Sequence, residues 1–136
     1  MAGSASEPGH WKAGREMLNL DTHILIHALQ GDLTARERRL LDAEPWSISA
    51  IVLWEVAKLS QHGRITLDLD SSEWDDVLTR VRVWPLDLAV ARMTTVLDFE
   101  SDPADEMIAA TSVVHGVPLL TRDRRILASK MVPFAR

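Results

Sequence analysis

Apolar and polar positions change period repeatedly along this chain, and the changes separate short strands from longer helices. Met17 to Leu20 is a brief, mostly apolar run that ends on Asp21. From Thr22 to Leu29 the apolar positions repeat at helical spacing, and Gly31 stops them. Thr34 to Ala43 predicts a polar-faced helix whose apolar contacts are Leu33, Leu40 and Leu41, with Pro45 beyond its end. Trp46 to Ser49 predicts a strand, after which Ser49 can cap a helix over Ala50 to His62 that Gly63 closes. A helix is expected over Ser71 to Arg80, a strand over Val83 to Leu86 and a helix over Leu88 to Leu97. Asp102-Pro103 then opens a helix that runs to His115 and stops at Gly116, with proline at the first helical position, where its missing N–H costs nothing. Val117 to Thr121 predicts a strand, Arg124 to Ala128 a helical turn, and Val132 to Phe134 a candidate edge strand.

Strands separated by helices call for crossover connections, hence an α/β fold with a mostly parallel sheet of four to five strands covered on both faces. At 136 residues and 46% hydrophobic content, one core is expected. The Gly-, Ser- and Ala-rich residues 1–16 are expected to be a flexible leader, leaving 17–136 as the folded domain. The chain has no cysteine, which excludes disulfides and thiolate metal sites and makes the cytoplasm the expected compartment. Apolar runs such as Ile48 to Trp54 fall well short of the roughly 18 residues of a membrane span, so no membrane partner is expected.

A net charge of −5 argues against a protein that holds nucleic acid by a broad basic face. Local clusters remain: Arg122, Arg124 and Arg125 late in the chain, and Arg36, Arg38 and Arg39 earlier. The acids are more informative. In open α/β sheets ligands bind beyond the carboxyl ends of the strands, where Asp21 and Asp123 are expected, although either could simply cap the helix that follows. Glu55 shares its helix face with Ile51, Val52 and Leu59, and a carboxylate there needs a partner. Lys58, one turn away, is the ordinary candidate; a metal is the other. Asp105 sits beside Ile108 and Ala109 on a face suited to packing, whereas Asp102 occupies the expected N-cap.

Four acids converging on one sheet edge would repel one another, and a divalent cation would relieve that repulsion. Hard oxygen donors without cysteine select Mg²⁺ or Mn²⁺. Such an ion can activate water and stabilise charge on an attacked phosphate, the chemistry of phosphodiester hydrolysis.

Three stretches carry a family resemblance: Leu18-Asn19-Leu20-Asp21-Thr22-His23; Ser49-Ala50 through Trp54-Glu55-Val56-Ala57; and Asp102-Pro103-Ala104-Asp105 through Ile108-Ala109-Ala110-Thr111 to Pro118-Leu119-Leu120-Thr121-Arg122-Asp123. Over about residues 17 to 134 the chain resembles a PIN-domain ribonuclease, specifically the VapC-type toxin of a type II toxin–antitoxin pair. The resemblance implies a three-layer α/β/α fold and a Mg²⁺-dependent endoribonuclease, with Mn²⁺ as substitute. It assigns Asp21, Glu55, Asp105 and Asp123 as catalytic and metal-binding, with Thr121 and Asp102 in support. Its implied partners are RNA, held by Arg122 and Arg124, and a cognate VapB-type antitoxin, with a homodimer inside the hetero-oligomeric complex. An apolar seam in the helical pair Thr22 to Ala43 is a candidate antitoxin groove.

Other readings are weaker. His23 and His27 stand at zinc-ligand spacing, but residue 24 is isoleucine where a metalloprotease helix needs glutamate. The tryptophans at 11, 46, 54, 74 and 84 are scattered rather than interleaved with basic residues; Trp54, beside Glu55 on a different face, could pack a partner. A phosphoacceptor receiver domain wants an acidic pair near the start and a lysine near the end, a pattern that the single Asp21 and the late Thr121-Arg122-Asp123 do not match. A non-catalytic PIN-like binding module, or a processing nuclease without an antitoxin, remains open.

Overall fold

A computed structural model describes residues 17–136; the expected leader, 1–16, lies outside the described residues. The elements run β1 (Leu18–Leu20), α1 (Thr22–Gln30), α2 (Ala35–Ala43), β2 (Trp46–Ser49), α3 (Ala50–Gln61), α4 (Ser72–Arg80), β3 (Arg82–Trp84), α5 (Leu88–Thr94), α6 (Pro103–His115), β4 (Leu119–Leu120) and α7 (Arg124–Leu127). The four strands form one sheet in the order β3-β2-β1-β4. Every pair is parallel, with Leu18 opposite Trp46, Ser47 opposite Arg82 and Asn19 opposite Leu119. This is the expected α/β architecture, reached with four strands. The candidate edge strand at 132–134 reduces to a single parallel bridge between Leu119 and Phe134.

Two boundaries moved for identifiable reasons. The third strand begins at Arg82 and ends before Pro85, because proline cannot donate to a ladder. The helix after it ends at Thr94, with Thr95 and Thr94 hydroxyls bonding back to the carbonyls of Arg92 and Ala91, which closes the turn before Leu97.

Strand β1 sits at the centre of the sheet and is wholly buried. Its alternation sends Leu18 and Leu20 to one face and Asn19 to the other. Asn19 donates from Nδ2 to the Ile108 carbonyl at 3.2 Å and to Ser112 Oγ at 2.9 Å, so its face carries α6. In the β1-to-β2 and β2-to-β3 connections α1 packs beside α3, and α3 also meets α6. The principal core joins Leu20, Ile24, Leu25, Ile48, Val52, Val56, Ile108, Leu120 and Ile126, all essentially solvent-free. A smaller cluster at the β3 edge joins Met17, Trp84 and Val117, with His115 stacked on Trp84 at 4.0 Å and Arg82 4.2 Å from the same ring. No helix among the described residues is long and apolar enough to cross a membrane.

Candidate active site

Each strand-to-helix junction at the carboxyl edge delivers one polar side chain. Asp21 ends β1 in extended backbone and accepts the Thr22 N–H at 2.8 Å, so it is the N-cap of α1. Asp123 caps α7 in the same way, accepting from the Arg125 and Ile126 N–H groups. Capping and site position are therefore compatible, since a carboxylate at a cap keeps an oxygen free. Thr121 links the two acids: its Oγ1 donates to Asp21 Oδ2 at 2.6 Å and accepts from the Asp123 N–H at 3.0 Å.

Glu55 projects from the second turn of α3, half-buried, and its partner is not Lys58. The lysine bonds Gln61 instead, while Glu55 accepts the Thr22 hydroxyl from α1. Asp105 lies in the first turn of α6 and accepts from Ser101 Oγ at 3.0 Å. Asp102 occupies the N-cap position, yet its side chain makes no capping bond; Glu106 reaches back to the Ser101 N–H at 3.0 Å instead. The expectation that Asp102 acts through capping is corrected accordingly: its carboxylate leaves the second- and third-position amides of α6 unbonded and lines the cavity instead.

Asp21, Glu55, Asp102, Asp105 and Asp123 line one cavity of about 440 Å³, together with Thr22, His23, Ile24, His27 and Arg122. Burial pushes the Asp21 carboxyl up from its ordinary value, opposed by the Thr121 and Thr22 bonds and reinforced by Asp123. Glu55 is raised chiefly by burial, then by the charges of Asp105 and Asp21. Asp105 is raised by burial and by Asp21, Asp123 and Asp102. Each of these three carboxyls is thus pushed up by at least one neighbouring acid, and His23 opposes the rise at Asp21 and Glu55.

The donor set is all oxygen and anionic, which fits a hard divalent ion. Among the described residues, however, no three acidic or histidine side chains stand close enough to hold one ion jointly. That geometry fits Mg²⁺ better than a dedicated all-protein cage, because Mg²⁺ keeps most of its water and binds through one or two carboxylates. The remaining acids would then meet the ion through its hydration shell.

Of the two expected RNA contacts, Arg122 lines the cavity, whereas Arg124 is exposed on α7 and is not among the lining residues. Arg122 is also half committed: Nε and Nη2 bind both carboxylate oxygens of Glu37 at 2.8 and 2.7 Å. That pairing holds the Glu37 carboxyl down to about 2. The sequence reading missed Thr22, Ser101 and Glu37. It quoted Asn19 without a role, although Asn19 ties α6, the helix that carries Asp105, to β1. A polar residue centred in an apolar strand was the available signal for Asn19.

A four-stranded parallel sheet with an acid-lined cleft beyond its carboxyl edge places the molecule among α/β proteins that gather carboxylates at strand ends. The particular family follows from comparison: the PIN domain family model matches residues 19–130, and the chain belongs to that family. Ribonuclease VapC22 of Mycobacterium tuberculosis is 33% identical over 95 residues, spanning 68% of this chain and 73% of that protein. FitAcB from Neisseria gonorrhoeae superposes with a TM-score of 0.65 at 26% identity, covering 88% of this chain and 97% of the other. VapBC2 from Rickettsia felis, solved bound to a DNA fragment from the promoter, superposes at 0.66 with 17% identity, covering 88% and 97%; that likeness is one of fold.

Proposed function

We propose that this chain is a Mg²⁺-dependent endoribonuclease, able to use Mn²⁺, that acts in the cytoplasm as the toxin of a toxin–antitoxin pair and is inhibited by a cognate VapB-type antitoxin. The observation that carries the reading is the convergence of Asp21, Glu55, Asp105 and Asp123 on one cavity in a chain of the PIN family. The 33% identity to a ribonuclease supports the activity, and the likeness to toxin–antitoxin complexes supports the partner.

Bound Mg²⁺ would supply a more acidic coordinated water and positive charge beside the attacked phosphate. The chain's own residues supply orientation. Asp21, held by Thr121, and Asp105, held by Ser101, are the carboxylates most firmly aimed into the cavity. Glu55, held by Thr22, stands across from them and can accept a proton from the attacking water, since burial and neighbouring charge raise its affinity for one. Asp123 completes the set at the rim. For the antitoxin, Trp54 offers 54% of its surface beside Glu55. A second, more apolar cavity of about 320 Å³ between the ends of α1, α2 and α4 is lined by Leu29, Pro45, Trp46 and Val77. A partner helix would enter this groove at the far end of α1 from Asp21, a further segment packed on Trp54 would lie beside Glu55, and a homodimer would present two such surfaces.

The test is cleavage of total RNA after brief expression, with cut sites mapped and Asp105→Asn run alongside. Metal-dependent cuts from the parent and none from Asp105→Asn are expected. Cleavage that survives EDTA, or an Asp105→Asn variant cutting at the parent rate, would sink the mechanism. A non-catalytic binding module would give no cuts while still co-purifying with a neighbouring gene product, and a processing nuclease would cut without any such partner.

A further inference from the structure

Glu37 is 5% exposed, as deeply buried as Met17 or Leu41, yet it lies on α2 and not among the cavity acids. Its Oε1 accepts the Thr34 N–H at 2.9 Å and Arg122 Nη2 at 2.7 Å, and its Oε2 accepts Arg122 Nε at 2.8 Å. The second Nη2 hydrogen goes to the Asp32 carbonyl at 3.0 Å. A two-point fork of this kind fixes the plane of the guanidinium. It leaves Nη1, with two N–H donors, free of hydrogen bonds among the described residues. The side chain is 41% exposed and borders the same cavity as the acids.

An arginine next to Asp123 in sequence, lining the same cavity as the acids, would, if free to swing, settle on one of them and occupy an oxygen the metal needs. No ion pair between Arg122 and a cavity acid is present among the described residues; the guanidinium is paired with Glu37. A chain of net charge −5 with acids lining its cavity also needs one fixed cation where a phosphate must approach. We propose that Glu37 is a positioning residue that holds Arg122 off the acids and keeps its Nη1 edge at the cavity rim, where Arg122 binds a non-bridging phosphate oxygen of the RNA strand beside the scissile bond.

This inference rests on the RNA-cleaving reading, and its test separates the two. Arg122→Gln, Glu37→Gln and the double variant are made in the full chain. Each is assayed well below its melting temperature for Mg²⁺-dependent cleavage, and for binding of a mixed-sequence single-stranded RNA by fluorescence anisotropy in an Asp105→Asn background. Arg122→Gln is expected to raise KM about tenfold with kcat changed less than about threefold, and to weaken anisotropy binding by a similar factor. Glu37→Gln is expected to raise both KM and the Mg²⁺ concentration needed for half-maximal rate, because the released guanidinium competes for the acids. The double variant should be no worse than Arg122→Gln in KM and should recover the parent's Mg²⁺ requirement. Parent-like KM and binding in Arg122→Gln would overturn this inference while leaving the nuclease reading intact. A Mg²⁺ requirement unmoved by Glu37→Gln would overturn the positioning role. A parent that neither cuts nor binds RNA would overturn both.

Discussion

One hydroxyl supports two of the acids, and its removal can be costed from the structure. Thr121 is 8% exposed, donates to Asp21 Oδ2 at 2.6 Å and accepts from the Asp123 N–H at 3.0 Å. Thr121→Val keeps the shape and deletes the oxygen. The bond to the carboxylate is charge-assisted and contributes about 1.5–3 kcal/mol, the bond from the amide about 1 kcal/mol, and a buried methyl in place of the hydroxyl returns up to about 1 kcal/mol. A net loss of about 2–3 kcal/mol follows, which for a domain of this size lowers Tm by about 6–15 °C. Function should respond separately. The Thr121 hydroxyl is the foremost influence holding the Asp21 carboxyl down against burial, so its loss raises that carboxyl further. On the proposed mechanism, in which Asp21 holds the metal as a carboxylate, the acidic limb of the cleavage profile should then move to higher pH. Thermal melts at pH 7 and cleavage rates from pH 5 to 8 measure the two effects, with Thr121→Ser as the control that retains both bonds. A Thr121→Val variant that melts within about 2 °C of the parent and keeps its acidic limb would refute the reasoning.

The remaining predictions concern charge. Asp21, Glu55 and Asp105 all have raised folded-state values, so each favours folding below the ordinary carboxylate range and gives up that contribution as pH rises through its folded value. In EDTA the Tm should therefore decline from mildly acidic toward neutral pH, and Mg²⁺ at a hundred times its dissociation constant should restore about 2.7 kcal/mol at pH 7. A Tm indifferent to Mg²⁺ would count against the metal site. Asp21→Asn should melt no earlier than the parent in EDTA at pH 7 while losing the Mg²⁺-induced gain and at least about 100-fold in cleavage rate, because it removes a repelling charge and a ligand together. Glu37 runs the other way: its carboxyl lies at about 2 instead of 4.5, so its stabilisation is present above about pH 4.5 and is lost as pH falls toward 2. Discounted for the exposed guanidinium it contributes about 2 kcal/mol, and Glu37→Gln should flatten that part of an acid-unfolding curve.

How much of this was legible beforehand depended on the range of the interaction. Helix ends were written in local chemistry: Gly31 and Gly116 both close their helices in the left-handed region, and Ser49 and Thr34 cap theirs through side-chain oxygens. The last strand, β4, was legible as an apolar run, but its length was not. Val117 to Thr121 reads as a five-residue strand, and only Leu119 and Leu120 pair with β1, because β1 itself offers three residues. Strand extent is decided by the partner, which pattern along one segment cannot disclose.

The candidate site divides along the same line. An acid on an apolar helix face, as with Glu55, signals that some partner exists, but helical spacing nominates only neighbours within a turn, and that logic pointed to Lys58. The actual donor, Thr22, is 33 residues earlier and comes into range only because α1 and α3 pack side by side on the sheet. Glu37 was hidden by the converse effect. Beside Arg36, Arg38 and Arg39 it reads as one charge in a solvated run, and only the fold turns it inward to meet Arg122, 85 residues away. Convergence of the acids could be inferred from strand ends; their separation could not. Two fold-level ties fix that separation, the Asn19 grip on α6 and the Thr121 bridge from β4 to Asp21. Among the described residues it leaves no three acids grouped closely enough to hold one ion jointly. On the proposed reading a Mg²⁺ that keeps most of its water and touches one or two carboxylates would suit such spacing, so substitutions at Asn19 that let α6 slide should alter Mg²⁺ affinity, read from the Mg²⁺-induced rise in Tm, before they alter the fold.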